Sequence, residues 1–562
     1  MLQFSNICCL IFVMMLVRIE LNRRKGKIIE NNLNFLDSHN MLLWFLILFG
    51  FVVIRFIGLG EIPGGINQDE AMSAVDALAL SKYGTDRFGT FMPAHFTAWG
   101  YGQMSVLLAY LTVPFIKLFG FNTIIIRLPM LVLSVAGAIA VYCLSKTAFG
   151  EKAAIIIFLF TAINPWHFMQ SRWAIDCNVF PHMFVIGLCF LSMIWENQKY
   201  LYYSMFFFAL CMYSYGVAFY MVPLFLLASS ICLLRNKIVS IKQCLISALL
   251  YFGVSFPIYG TMLINLMKWE TVELPFVTMT YFENNVRVND ILFFCDKPLE
   301  QLAINAKALV RTVFLQKPDL IWNAIDDFGT MYKCSIPFII MGIIIVLHTA
   351  RNKTDMKERI LCRLIIIYWI CSLITGLCIN SVNVNRINII FYSHIIFAGV
   401  GIYYVIKRWK IMAIIIISVF AIQSTLFLNR YFTTWSDEMD TYFYDDFIEA
   451  VEFAGNQECD YYYITPDTQY EGSANVSEIL TMFAQQIDAE YYQGKTNQYR
   501  GALISYADRY RFRNPEQGEI NAQQKTAYVI KTESLSNYDL NLFSVKRFDN
   551  YCVVMPTQYA GW

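Results

Sequence analysis

Apolar residues in this chain run on unbroken for a helix length or more, with little of the alternation of a half-buried strand or the single stripe of a surface helix. About 20 predominantly apolar residues suffice to cross a bilayer as a helix. Twelve segments read as spans: 2–17, 41–58, 123–144, 153–170, 178–194, 200–214, 217–234, 243–259, 336–349, 360–378, 387–405 and 411–428. The first is followed by its basic residues (Arg18, Arg23, Arg24, Lys25, Lys27), the order of a retained anchor and not of a cleaved signal. Ser105–Phe119 is apolar too. Counted as a span it would put Lys146 and Lys152 on the outer side, so it is read as an interfacial or re-entrant helix. The remaining Lys and Arg clusters then fall on the inner side in strict alternation, which leaves outside the cell a loop at about 61–122, a second at about 260–335, and the C-terminal region.

Composition changes near Arg430, from Ile-rich runs to Asp, Glu, Gln, Asn and Tyr. The expected organisation is an anchor and cytoplasmic loop (1–40), a membrane domain (41–429) and an extracytoplasmic α/β domain (430–562). In the last, 442–455 and 477–492 have helical spacing, and 460–465, 527–532 and 550–555 read as strands. Cys459 and Cys552 lie outside the membrane in this scheme, where a disulfide is chemically allowed. The whole chain is 57% hydrophobic and 15% charged, with a formal charge of +1. A soluble cytoplasmic protein is excluded, and no overall field points to nucleic acid. The 15 cysteines form no CxxC pair, so metal fingers are excluded as well.

Candidate chemistry gathers at the outer ends of the spans. Pro63-Gly64-Gly65-Ile66-Asn67-Gln68-Asp69-Glu70 places two adjacent carboxylates just beyond the second span, where one of them can take a proton from an incoming hydroxyl. The competing reading is a helix start, since acidic residues in a first turn face the macrodipole favourably. Ser171-Arg172-Trp173-Ala174-Ile175-Asp176 puts a second acid on the same face; Arg172 and Asp176 also have the spacing of an ordinary helical ion pair. Asn383-Val384-Asn385-Arg386 supplies an arginine able to hold a phosphate by two parallel bonds, or simply to snorkel. Trp99 and Tyr101 can stack on a sugar or serve as interfacial aromatics. His95, His167 and His182 lack ligand spacing. In the second loop Trp269, Glu270, Tyr281, Trp322, Asp326 and Asp327 suggest short covering helices, with packing against the C-terminal domain an equal alternative.

The paired DE in a long first outer loop, Tyr110-Leu111-Thr112-Val113-Pro114 with Phe119-Gly120, then Arg127-Leu128-Pro129, then Ser171 to Asp176, resembles the GT-C glycosyltransferases, most closely the protein O-mannosyltransferase and lipid A aminoarabinose transferase group. The likeness is strongest over 50–195 and continues through Tyr213-Ser214-Tyr215-Gly216 and Asn385-Arg386; the C-terminal region carries none of it.

That resemblance implies a multi-spanning GT-C membrane protein that moves a sugar from a polyprenyl-phosphate donor to a protein, lipid or glycan acceptor at the outer membrane face, with inversion. Asp69 is then the general base or acceptor-orienting carboxylate. Glu70 supports the site or touches the sugar, Asp176 is the second acid with Arg172 its partner, and Arg386 neutralises the leaving phosphate. A cation found in relatives within Pro93–Gln103 is missing, which shifts donor phosphate binding to Arg386 or Arg127. A divalent metal held by Asp69, Glu70 and Asp176 is left open. A transporter or flippase, and a cell-wall or capsule glycan polymerase or ligase, are the alternative functions.

Overall fold

The computed structural model describes residues 41–99, 101–284, 297–317, 319–379, 381–468 and 472–562. The proposed span 2–17 and the loop 18–40 lie outside them. Among the described residues seven helices are long and apolar enough to cross a membrane: Thr123–Phe149, Ala218–Arg235, Ile241–Met267, Lys333–Asn352, Met356–Cys378, Val384–Ile406 and Ile411–Tyr431. The chain is a multi-pass α-helical membrane protein. Met41–Phe56, Asp176–Ser192 and Tyr200–Cys211 are helices where spans were expected, but shorter than a full crossing.

The expected span 153–170 is two helices. Glu151–Ile163 ends at Asn164, and Pro165–Gln170 starts anew, with the Asn164 side chain accepting the His167 N–H. The proline ring bars Asn164 from helical geometry and supplies no N–H, so an Asn-Pro step inside an apolar run ends one helix and opens another. Leu107–Phe119, read as non-spanning, is a helix of 13 residues. At 1.5 Å per residue it reaches about 20 Å, short of the roughly 30 Å hydrocarbon core.

By internal contacts the chain forms two compact units. The first comprises Met1–Ile57, Met130–Gly260 and Asn285–Phe432. Its helices close on small residues: a methyl added to Gly342 would overlap the Phe397 carbonyl, and one added to Gly401 the Phe338 carbonyl, so Ile336–Asn352 and Phe391–Ile406 touch backbone to backbone. Close approach at glycine is a regular means of helix association in lipid, where no hydrophobic effect drives it.

The second unit comprises Gly58–Pro129, Thr261–Asn284 and Thr433–Trp562. The segment 58–129 therefore folds with the C-terminal region, across the boundary that composition alone suggests at residue 430. A five-stranded sheet runs in the order Phe543–Phe548, Tyr551–Pro556, Thr526–Lys531, Tyr461–Ile464, Tyr510–Arg511. Tyr461–Ile464 is parallel to both neighbours and the other pairs are antiparallel. Asp445–Asn456 packs on this sheet through Phe447, whose ring meets Tyr551 edge-on at 5.3 Å. The region is α/β as expected, with four strands among the described residues that the pattern did not disclose, Phe543–Phe548 and Tyr510–Arg511 in this sheet and the pair Gln498–Tyr499 and Ala502–Leu503 outside it, and the segment 477–492 is two helices, Ala474–Ala484 and Ala489–Tyr492. Cys459 and Cys552 are both free and buried; the Cys459 sulfur lies 3.9 Å from that of Met555 and the Cys552 sulfur 3.4 Å from the Thr532 hydroxyl.

Candidate active site

In the second unit, Gln68–Tyr83 is a helix whose N-cap is Asn67: its side-chain oxygen accepts the Asp69 N–H at 3.0 Å. Capping is thus the work of Asn67, and Asp69 and Glu70 occupy the first turn, where the free N–H groups favour negative charge. The two carboxylates part company there. Glu70 is wholly buried, whereas Asp69 is partly exposed.

Glu70 faces Arg127, which is also wholly buried. The Arg127 Nε donates to Glu70 Oε1 at 2.9 Å and one Nη to Oε2 at 3.1 Å, a bidentate pair. The remaining N–H groups reach the carbonyls of Leu59 at 3.2 Å, Pro63 at 2.9 Å and Gly65 at 3.0 Å. All five guanidinium donors are taken, so Arg127 has none left for a donor phosphate, and both Glu70 oxygens are committed to the same pair. What this pair does is fix the turn that leads into Asp69.

From its other groups the turn is held by the C-terminal region. The Ile66 N–H donates to the Phe443 carbonyl at 2.7 Å, and the Gly65 N–H to the Asp445 carboxylate. Gly65 has φ +63°, and a methyl there would overlap the Phe443 carbonyl, so only glycine satisfies both backbone and neighbour. A methyl on Gly64 would come within 2.7 Å of the Asp440 carboxylate. Burial raises the Asp445 carboxyl above the usual carboxylate range despite its bond to Gly65. Burial, with Asp445, Asp437, Asp446 and Glu449 around it, pushes Asp440 up to about 6.

Trp99, proposed to stack on a sugar, donates its indole N–H to Asp69 Oδ1 at 3.3 Å. It follows the strand Phe96–Ala98, which pairs antiparallel with Tyr101–Met104; Tyr101 opens the second strand, opposite Ala98. A buried ion pair ties this hairpin to the Asp69 helix: Arg87 binds Asp76, about two turns along the same helix, and donates to the Thr97 carbonyl at 2.7 Å. The helix also meets the C-terminal region at its far end, where Lys82 pairs with Asp488 at 3.1 Å and the Tyr83 hydroxyl donates to the same carboxylate.

The first unit holds the other candidates. Arg172 lies in the turn ahead of the helix that Asp176 opens, so the two do not sit on one helix as an i,i+4 pair would require. Arg172 is wholly buried; it donates to the Arg55 carbonyl at 2.7 Å and to the Tyr431 hydroxyl at 3.1 Å. Arg55, which sequence reasoning passed over as part of an apolar span, reaches the Ala162 carbonyl at 2.9 Å and the Phe51 carbonyl at 3.3 Å. Both arginines thus satisfy carbonyls at helix C-termini, where cations belong.

Asn383 caps the short helix Val384–Ile387 by accepting the Arg386 N–H at 3.0 Å, and Asp319 accepts the Val384 N–H at 2.6 Å. Asn388 donates to the Cys177 carbonyl at 2.8 Å. The segment bearing Asn385 and Arg386 is thereby joined to the start of the Asp176 helix, two of the proposed sites in one place. Asp176 is 8% exposed, in a first turn whose N-cap, Ile175, offers no side-chain bond. Among the described residues no group of three or more His, Cys, Asp or Glu gathers as a metal ion requires. With both oxygens held by Arg127, Glu70 is a poor ligand for a cation.

Residues 104–281 match the family described as dolichyl-phosphate-mannose-protein mannosyltransferase. In structure the chain is similar to ArnT from Cupriavidus metallidurans bound to undecaprenyl phosphate, at 12% identity and a TM-score of 0.57, over 93% of this chain and 100% of that one. The apo form of that protein gives 0.54 at 11% identity over the same shares. The oligosaccharyltransferase of Archaeoglobus fulgidus, in its complex with Zn and sulfate, gives 0.51 at 12% identity, over 87% of this chain and 68% of that one. No curated protein matches the chain in sequence.

Proposed function

We propose, from the premise that this chain has the GT-C fold with a mannosyltransferase-type segment at 104–281, that it is a membrane glycosyltransferase drawing its sugar from a polyprenyl-phosphate donor and passing it to a protein, lipid or glycan acceptor at the extracytoplasmic face. The observation that carries this reading is the division of labour in the DE pair. Glu70 is spent on Arg127, while Asp69 stays partly exposed on a rigidly held first turn, oriented by the indole of Trp99. A carboxylate so placed can accept the proton of an acceptor hydroxyl as the oxygen attacks the anomeric carbon.

In this reading the C–O bond to the lipid phosphate breaks as the bond to the acceptor oxygen forms on the opposite face, giving inversion. The polyprenyl phosphate leaves with the bonding electrons. Arg386 neutralises the charge that grows on that phosphate. Asp176, on the segment joined to that of Arg386, orients the acceptor, and Asn385 contributes to substrate binding. The mechanism needs no covalent enzyme intermediate.

The test is release of undecaprenyl phosphate from a panel of undecaprenyl-phosphate hexoses and pentoses by purified protein supplied with cell-envelope extract as acceptor, wild type beside Asp69→Asn. Turnover lost in a normally folded Asp69→Asn supports the reading and names the sugar. Equal turnover in both removes Asp69 from the chemistry.

A further inference from the structure

The C-terminal region carries none of the residues assigned to the reaction, yet it supplies the backbone and side-chain partners of the turn that leads into Asp69. Pro63, Gly64, Gly65 and Ile66 form that turn, and their polar groups are divided between two sets of partners. Arg127 takes the carbonyls of Pro63 and Gly65. The C-terminal region takes the N–H groups: Asp445 that of Gly65, Phe443 that of Ile66 at 2.7 Å. Asp445 is the first residue of the helix Asp445–Asn456, and Phe443 lies two residues ahead of it. That helix is anchored in turn by Phe447 on Tyr551 of the sheet and by Gln485, which donates to the Val451 carbonyl at 2.8 Å. The chain of support therefore runs from a five-stranded sheet to one helix start, to one glycine turn, to the first turn of the Asp69 helix.

Resting on the reading of Asp69 as the base, we propose that Asp445, with the Phe443 carbonyl and Arg127, is a positioning residue: the C-terminal region is the template that sets the Gly64-Gly65 turn and hence the direction in which Asp69 points. Asp445 touches neither sugar nor lipid in this scheme. It acts through the Gly65 N–H. Two features of the sequence agree with a built clamp. Gly65 has no room for a side chain against Phe443, and the clamp pairs a carboxylate for the N–H with a guanidinium for the carbonyls, so each partner's charge suits the group it binds. A misplacement of a catalytic group by about 1 Å can cost on the order of 10²-fold in rate, so a loosened turn lowers kcat while leaving substrate binding in place.

The experiment uses the full-length protein and the undecaprenyl phosphate release assay, with thermal unfolding of each variant and hydrogen exchange of the Gly65 and Ile66 amides. Asp445→Ala is expected to lower kcat on the order of 10²-fold with donor KM within about twofold, and to speed exchange at both amides. Asp445→Asn keeps an acceptor oxygen at the same reach and is expected to restore most of kcat and the protection. Where Asp445→Ala does not fold, Asp445→Glu gives the same split, because its carboxylate is displaced by one methylene. Wild-type kcat and exchange in Asp445→Ala or Asp445→Glu, with Asp69→Asn inactive, overturn the proposal and leave the base assignment standing. Full turnover in Asp69→Asn overturns both. A rise in KM as large as the fall in kcat overturns positioning in favour of direct substrate contact.

Discussion

Removing the Glu70 side chain separates a structural carboxylate from a chemical one. In Glu70→Ala the Arg127 guanidinium stays wholly buried, keeps its bonds to the carbonyls of Leu59, Pro63 and Gly65, and loses both charge-assisted bonds and its counter-charge. Leaving one member of a buried pair unmatched costs about 3–5 kcal/mol. For a unit the size of that containing Glu70, 1 kcal/mol moves a midpoint by roughly 2–4 °C, so the transition of this unit is expected to fall by about 6–20 °C. Replacing both partners, Glu70→Leu with Arg127→Met, removes the stranded charge but also the clamp on three carbonyls. The double variant is therefore expected to lose less than the sum of the singles, with a coupling of about 0.5–3 kcal/mol. The assay is thermal unfolding in detergent or nanodiscs, followed by intrinsic fluorescence, with undecaprenyl phosphate release measured below the lowest midpoint. A Glu70→Ala protein that melts within 2 °C of wild type yet has lost turnover refutes the structural argument and returns Glu70 to the chemistry.

Asp69→Asn is expected to lower turnover about 10²–10⁴-fold, while costing at most about 1 kcal/mol through the weaker interaction of its first turn with the helix dipole, a contrast read from rate against melting temperature. Asp440 has a folded pKa of about 6 against an unfolded value near 4, so it favours the fold while protonated and that contribution is lost as pH rises through about 6. Asp440→Asn is expected to flatten the decline in midpoint between pH 4 and 7, and an unchanged pH profile would refute it. Gly342→Ala forces a methyl onto the Phe397 carbonyl and is expected to lower the unfolding midpoint of the membrane helices, whereas the same change at Gly253, where nothing lies within 4 Å, is expected to leave it unchanged. Asp319→Ala is expected to lower turnover by freeing the Val384 N–H and the segment that holds Arg386, with Asp319→Asn recovering most of it.

The periodic parts of the fold were legible because they obey one rule: long apolar runs became helices wherever no Asn-Pro step broke them. The break at Asn164-Pro165 is visible in the sequence, yet a hydropathy count passes over it, because both halves are equally apolar. In the C-terminal region, strands with buried apolar residues such as Tyr461–Ile464 and Tyr551–Pro556 were found by pattern. Phe543–Phe548, half exposed and carrying Lys546 and Arg547, has no such signal. The GT-C resemblance holds at the level of the fold because its motifs stand at the right order and spacing. What each motif residue does was less legible. Arg127 stands in a recognisable motif and yet spends every donor on neighbours 57 to 68 residues away, a pairing that no local spacing discloses. Arg55 was hidden by its apolar surroundings. Asp445 was one acid among many, and only the approach of Gly65 distinguishes it.

The composition of the second unit also dictates an order of manufacture. Gly58–Pro129 leaves the ribosome early, but Phe443 and Asp445, and the helix Ala474–Ala484 that packs on Gln68–Tyr83, are made some three hundred residues later. Nascent chains ordinarily complete each compact body as it emerges. Here the segment 58–129 must wait for its C-terminal partners through the insertion of every later transmembrane helix. On the proposed role of Asp69, that carboxylate reaches its final geometry only when synthesis is nearly finished, so a prematurely terminated chain holds the motif and Arg127 without Phe443 and Asp445.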